Sequence, residues 1–250
     1  MNVARSAAEL ETIPRAVAIG TFDGVHRGHQ HVIGAAVETG LVPTVVTFDH
    51  DLQQCEPEDF ARDVLGAIGA EVVVAGEPFR FGHRRRGDLE LLRGLGFDAR
   101  GVPFLEGVSS TDIRLLLHEG DITAAAGQLG RPAEVEGTVV VGDERGGTLG
   151  FPTANLSVDA NLLVPAFGIY AGSALGTPAA ISIGTNPHYG GRERKIEAFL
   201  LDFEGDLYGQ RLVVELWQRL RNEEVFDSEQ ALIDQIARDV EATRSATRPA

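Results

Sequence analysis

A single cysteine, Cys55, in 250 residues leaves this chain unable to form an intrachain disulfide or a multi-cysteine metal framework, which fits a reducing compartment. Basic residues are also scarce. Lys plus Arg number 22 against 37 Asp plus Glu, a formal net charge of −15. That surplus of anions disfavours general duplex binding or attachment to an anionic membrane, so neither nucleic acid nor membrane is expected as a partner. Long apolar runs are missing as well. Nothing approaches the roughly 18 residues that cross a bilayer, and "MNVARSAAELETIPRAVAIG" holds no signal-peptide core. A soluble, cytoplasmic protein is the expectation.

What is present is ample core-forming material, with 43% hydrophobic residues in a length that suits one large or two modest domains. In the first half, "AVAIG", "PTVVTF" and "EVVVAG" read as buried strands, with a weaker extended piece near "DARGVPF". Helical spacing separates them. "HQHVIGAAVETG" suits a helix ending at Gly40, and "PEDFARDVLGAIG" places Pro57 in a first turn with Phe60, Val64, Leu65 and Ile68 on one face. "GDLELLRGLG" and the hydroxyl-capped "SSTDIRLLLHEG" complete a βαβαβα order, which predicts a parallel sheet with its ligand at the strands' carboxyl ends.

A linker near residues 120–131 holds a short helix capped by Asp121 and stopped by Gly130. Beyond it come short β-rich runs: "EVEGTVVVG", "FGIYAGSA", "AAISIG", "KIEAFLLDF" and "RLVVELWQRL". Their glycine-rich and proline-containing turns predict an antiparallel barrel or sandwich. "DSEQALIDQIARDVEAT" closes the chain as a helix with Leu232, Ile233, Ile236, Ala237 and Val240 on one face, and the tail "RSATRPA" is expected to fray. The predicted domains are residues 1–130 and 131–250.

Five features can carry chemistry. Within Gly20–Gly28, where the first strand feeds a helix, Gly20, Phe22, Asp23, Gly24 and Gly28 form a glycine-containing loop beside His26 and His29. Its glycines permit close approach to a phosphate and its histidines can donate to phosphate oxygens. A metal site and a plain solvated loop are the competing readings, the former weakened by the lack of a second ligand pair nearby. "VSSTDIR" offers Ser110, Thr111, a helix start and Arg114 as a second anion cradle, or an ordinary capped helix. "FRFGHRRRGD" clusters arginines that attract a nucleotide or merely face solvent. In "GDERGGTLGFPTANLS", Gly142, Arg145 and Gly150 precede Thr153 and Asn155, whose oxygens share one side of an extended strand and suit Mg²⁺ with phosphate; a self-bonded turn is the alternative. Alternation in "KIEAFLLDF" sets Glu197 on one face with Phe199 and Leu201, predicting a desolvated carboxylate with a raised pKa suited to a general base, against an exposed glutamate at a barrel rim.

"GTFDGVHRGH", "FRFG…RGD" and "VSSTDIR", in that order, resemble the adenylyltransferase motifs of the bacterial bifunctional riboflavin kinase/FMN adenylyltransferase (FAD synthetase) family. "LGFPTAN", "IGTNPHYGG", "LLDFEGDLYGQ" and "FDSEQALIDQIARDV" resemble its kinase domain. The resemblance implies an α/β Rossmann-like nucleotidylyltransferase domain followed by a small antiparallel β-barrel with a C-terminal helix. It implies that ATP phosphorylates riboflavin to FMN and that a second ATP adenylylates FMN to FAD. Carried over by position, Thr153 and Asn155 bind Mg²⁺ and ATP phosphates, Glu197 activates the riboflavin hydroxyl, His26 and His29 stabilise the transferring phosphate, and Ser110, Thr111 and Arg114 grip ATP. Two other readings accompany this one: a kinase with a degenerate N-terminal domain, and a non-catalytic flavin-binding regulator. The chain departs from the family pattern at Thr21, Pro78, Gly147 and Phe167, the last standing where Asp is common. It also lacks the "PHP" signature, with a family segment holding a strand and a helix expected to be missing after Phe48.

Overall fold

Strand β1 (Arg15–Gly20) is buried along its whole length, as an unbroken apolar run requires: it needs sheet neighbours on both edges and cover on both faces. In the computed structural model, which describes residues 7–142, 150–159, 162–185 and 194–249, it has both. Parallel β2 (Val42–Thr47) and β3 (Ala70–Gly76) flank it, and β4 (Asp98–Val102) completes the order β2-β1-β3-β4. Ala16 and Ala18 face one apolar layer with Val32 and Ala36 of α1 (Arg27–Val37). Val17 and Ile19 face the other, with Phe60, Leu65 and Ile68. The two-residue period of the strand thus divides the unit into two layers.

Helix α2 (His50–Gln54) and α3 (Pro57–Phe60), the latter continuing as a π-helical stretch over Ala61–Gly66, lead to β3; α4 (Leu89–Gly94) leads to β4. Asp49 and Asp88 cap α2 and α4 by accepting from the Leu52 and Leu91 N–H groups. The chain leaves β1 toward β2 and returns past it to β3, so the sheet's switch point lies at the carboxyl ends of β1 and β3.

The second unit begins with α5 (Ser110–Glu119) and α6 (Ile122–Leu129), the latter capped by Asp121 and stopped by left-handed Gly130. Ile113, Leu117, Ile122 and Leu129 share a core with barrel residues such as Tyr170 and Ile181. By packing, therefore, the compact units are Met1–Ser110 and Thr111–Ala250. Strands β5 (Ala133–Val140), β6 (Ala154–Ser157), β7 (Gly168–Ala174), β8 (Thr177–Thr185), β9 (Arg194–Leu200) and β10 (Arg211–Arg221) form a closed antiparallel barrel in the order β10-β5-β6-β9-β8-β7. A barrel is thereby selected over a sandwich.

Helix α7 (Glu229–Ser245), capped by Ser228, packs on β7 and β8. Its apolar face is not the most buried one. Leu232, Ile233, Ile236 and Val240 are only half-buried and Ala237 is exposed, whereas Asp239 and Thr243 retain 6% and 1% of their accessible surface. Asp239 accepts from Arg221 Nε at 3.1 Å and Nη2 at 2.8 Å, and from Gln235 Nε2 at 2.9 Å, so an ion pair anchors the helix. The tail is not frayed either. Arg248 is paired with Glu215 at 2.8 Å, and Trp217 Nε1 donates to the same carboxylate, which lies well below its usual pKa, near 2.

Removing Asp239 as Asp239→Ala leaves Arg221 buried without its counter-ion and is expected to destabilise the barrel unit by about 3 kcal/mol. The paired change Arg221→Met with Asp239→Leu is expected to cost far less. Urea titration followed by the fluorescence of Trp217, the chain's one tryptophan, measures both.

Candidate active sites

The loop after β1 is built from left-handed backbone: Phe22, Gly24 and Val25 have φ of 46°, 72° and 43°. This turn delivers His26 as the N-cap of α1. Its Nδ1 accepts the His29 N–H at 3.3 Å, which in a neutral imidazole leaves the proton on Nε2, 3.2 Å from Ser110 Oγ. Ser110 in turn reaches the Asp23 carbonyl at 3.4 Å. The His29 ring stacks on His26 with centroids 3.7 Å apart and meets the Phe22 edge at 5.3 Å. Gly28 permits this close packing, because a Cβ there would come within 3.2 Å of the His26 ring. Gly20 does the same for Phe22.

Burial lowers the pKa of His26, opposed by a backbone hydrogen bond and the Asp23 charge. For His29, burial and then the neighbouring His26 lower it to about 4. His29 Nδ1 is buried without a hydrogen-bond partner among the described residues. At neutral pH the pair is thus a set of uncharged donors and acceptors at a helix N-terminus.

The sequence-predicted residues Gly20, Phe22, Asp23, Gly24, His26, Gly28, His29 and Ser110 are gathered on this loop and its neighbours. Thr111 and Arg114 lie further along α5, in the second unit. The arginine cluster is partly neutralised: Arg80 pairs with Asp88 and Arg86 with Glu56, while Arg84 and Arg85 stand exposed on a tight hairpin. Sequence reasoning missed an aromatic cluster there. Phe48, at the end of β2, packs on Phe60, Phe79 and Phe81 with centroids 4.7 to 5.6 Å apart.

In the barrel, Asn155 of β6 lies directly opposite Glu197 of β9, and Glu197 opposite Ser182 of β8. Thr153 Oγ1 is 3.3 Å from Glu197 Oε1, and Lys195 Nζ is 3.2 Å from that same oxygen. The Gly142 backbone lies flush on the Asn155 amide, leaving no room for a Cβ. Gly150 is left-handed with φ of 87°, and Arg145 falls outside the described residues.

The expected surroundings of Glu197 need correction. It shares its face with Phe199, but Leu201 is buried in the turn beyond β9, and the Glu197 side chain keeps 28% of its surface with an ammonium and a hydroxyl against it. The carboxylate is paired and solvated, not desolvated. Beside Thr153 opens a cavity of about 290 Å³, floored by Val139, Ala198 and Leu200 and walled by Phe203, Leu207 and Tyr208. The acidic and aromatic run "DFEGDLY" was the only sequence signal for this wall.

Both constellations place donors, oxygen ligands or a carboxylate where phosphate groups can be held and transferred, one on a parallel sheet and one on a barrel. The class so defined is a two-module, nucleotide-handling transferase. Residues 129–247 match the riboflavin kinase (Flavokinase) family model, and residues 9–43 and 42–103 match the FAD synthetase model. The bifunctional riboflavin kinase/FMN adenylyltransferase of Escherichia coli K12 is 32% identical with full coverage of both chains, and that of Bacillus subtilis 29% identical over 89% of each. A crystal structure of a protein from Streptococcus pneumoniae named as a macrolide-efflux protein superposes with a TM-score of 0.81 at 27% identity, covering 96% of this chain and 97% of that one. The chain belongs to the bifunctional riboflavin kinase/FMN adenylyltransferase family. Among the described residues no helix is long and apolar enough to cross a membrane.

The FAD synthetase match comes in two stretches that meet at residues 42–43, the first residues of β2. The missing family segment is therefore missing ahead of β2, not after Phe48.

Titration of the histidine rings by NMR is expected to give His29 a midpoint near 4 and His26 one below the ordinary 6.5. Because the unfolded chain takes up these protons first, the first unit should lose stability as pH falls from about 6.5 toward 4. A His29→Asn variant should show a shallower loss in the same acid titration.

Proposed function

We propose that the barrel unit transfers the γ-phosphoryl group of ATP to riboflavin, giving FMN, and that the parallel-sheet unit transfers AMP from a second ATP to FMN, giving FAD and pyrophosphate. The functional extents are residues 131–250 and 1–130, in the cytoplasm. The observation that carries the reading is the convergence of Thr153, Asn155 and Glu197 from two paired strands.

In the kinase step, Glu197 takes the proton of the ribityl 5′-hydroxyl. The hydroxyl oxygen then bonds to the γ-phosphorus as its bond to the β–γ bridging oxygen breaks, and ADP leaves. Attacking and leaving oxygens stand roughly in line, so donor and acceptor enter from opposite sides. The cavity at the Leu200 end of β9 suits the nucleotide. Riboflavin then approaches from the Lys195 end, where Gly184 lies opposite Lys195 and the Phe167 ring, under the Arg194 guanidinium, is exposed.

The family's enzymes are generally dependent on a divalent metal, and the donor set fits Mg²⁺. The Thr153 hydroxyl and the Asn155 amide are hard oxygen donors, and among the described residues no cluster of three His, Cys, Asp or Glu offers a protein-rich cage. Few protein ligands beside phosphate and water are what Mg²⁺ takes. Thr153 and Asn155 would hold it, and it supplies neutralisation of the phosphate charge. Gly142 and Gly150 would lie toward those phosphates, and Arg145, which the family resemblance assigns to them, is outside the described residues.

In the adenylyl step an FMN phosphate oxygen attacks the α-phosphorus of ATP and pyrophosphate departs. His26 Nε2, the His29 ring, the loop Gly20–Gly28 and Ser110 donate around that phosphate. The family segment absent at residues 42–43 favours a second reading, in which only the kinase operates.

With riboflavin, ATP and Mg²⁺, Glu197→Gln is expected to slow FMN formation by about 10³-fold while FMN supplied directly still becomes FAD. His26→Ala should do the opposite. Chromatography of the flavins reads both steps, and FMN that never becomes FAD in the unmodified protein selects the second reading.

A further inference from the structure

The chain carries 22 Lys plus Arg, yet lysine occurs once, at Lys195. That lysine is two residues before Glu197 on β9, so the two side chains share the outer face of the barrel. Both are largely covered, with 25% and 28% of their side-chain surface exposed. The ammonium lies 3.2 Å from Glu197 Oε1, and Thr153 Oγ1 lies 3.3 Å from that same oxygen. One carboxylate oxygen is thus held twice.

Everywhere else the sequence uses arginine for positive charge, and the chemistry of the two cations explains the exception. Guanidinium is a planar fork that engages both oxygens of a carboxylate, as Arg221 does with Asp239 and Arg244 with Asp202. Ammonium is a point charge that can bind one oxygen and leave the other. A base needs one oxygen unencumbered to receive a proton.

We propose that Lys195 is a positioning residue for Glu197. With Thr153 it fixes Oε1, aims Oε2 at the acceptor hydroxyl, and does so in a way an arginine cannot. The inference rests on the reading of Glu197 as the base in riboflavin phosphorylation. The cross-strand partner of Lys195 is Gly184, whose missing side chain leaves room for the Glu223 carboxylate.

The experiment is steady-state kinetics of FMN formation by the full chain, with the FMN-to-FAD step as an internal control. Lys195→Met and Lys195→Arg are each expected to lower kcat by about 10- to 100-fold, the cost of a misplaced catalytic group, with both KM values within about twofold. FAD formation from FMN should be unchanged, as should thermal unfolding of the barrel. Acetylation with an amine-selective reagent should inactivate the kinase of the unmodified chain and leave the residual activity of Lys195→Arg untouched. Lys195→Arg with undiminished kcat overturns the proposal, because charge alone then suffices. So does a Lys195→Met variant whose defect lies in the KM for ATP, which makes the lysine a phosphate ligand. An unmodified chain that forms no FMN overturns the kinase reading and this inference with it, whereas an active chain indifferent to Lys195→Arg overturns this inference alone.

Discussion

In a closed barrel each strand is paired on both sides, so no strand can shift register without breaking two ladders. Here the interior enforces that register. Ile196, Ala198 and Leu200 of β9 pack against Ile181, Ile183 and Leu156, and a slip by one residue would turn them outward and carry Lys195, Glu197 and Phe199 into the core. Each large apolar side chain exposed in that way costs about 1.5–3 kcal/mol, before the penalty of burying a carboxylate. The placement of Asn155 opposite Glu197 is therefore a by-product of core packing. Apolar residues of the barrel interior hold Asn155 and Glu197 side by side.

The parallel-sheet unit obeys a different constraint. Its chemistry-bearing loop hangs from β1, and β1 is held by neighbours on both edges and by two apolar layers. With the family match broken at residues 42–43, β1 is still flanked by β2 and β3. The His26 cap, the His29 stack and the Ser110 contact all depend on β1 and α1. The loop after β1 therefore keeps its support.

Local periodicity made much of this legible in advance. Every strand of the sheet, the cap at Asp121, the Gly130 stop and the inward face of Phe60, Leu65 and Ile68 follow from spacing within a dozen residues. That Glu197 shares a face with Phe199 was legible for the same reason, but not that this face is the outer one. Pairings between distant segments were not. Nothing in "KIEAF" says that Thr153 will donate to Glu197, because that depends on the β6–β9 register, and β7 and β8 lie between those strands in the sequence. The helix α7 shows the same limit: its pattern marks an apolar stripe, but the presence of Arg221 on β10 turns Asp239 into its most deeply anchored side chain. The break in the family match at residues 42–43 was hidden because "PTVVTF" is a good strand in either alignment.

The two sites differ in their charges because the two proposed reactions pose different problems. An alcohol must lose a proton to become a nucleophile, so the barrel supplies a carboxylate held by a hydroxyl and an ammonium. A phosphate monoester is already an anion, and its difficulty is approaching another anion; it needs donors and no base. The loop after β1 answers with two imidazoles, and in one the proton is fixed by structure: because His26 Nδ1 is committed to capping α1, Nε2 must carry the proton and meet Ser110 Oγ. Burial lowers the pKa of both rings, so the pair avoids becoming two adjacent imidazolium ions near neutral pH. In the proposed adenylyl step a polyphosphate beside these rings would raise their proton affinity.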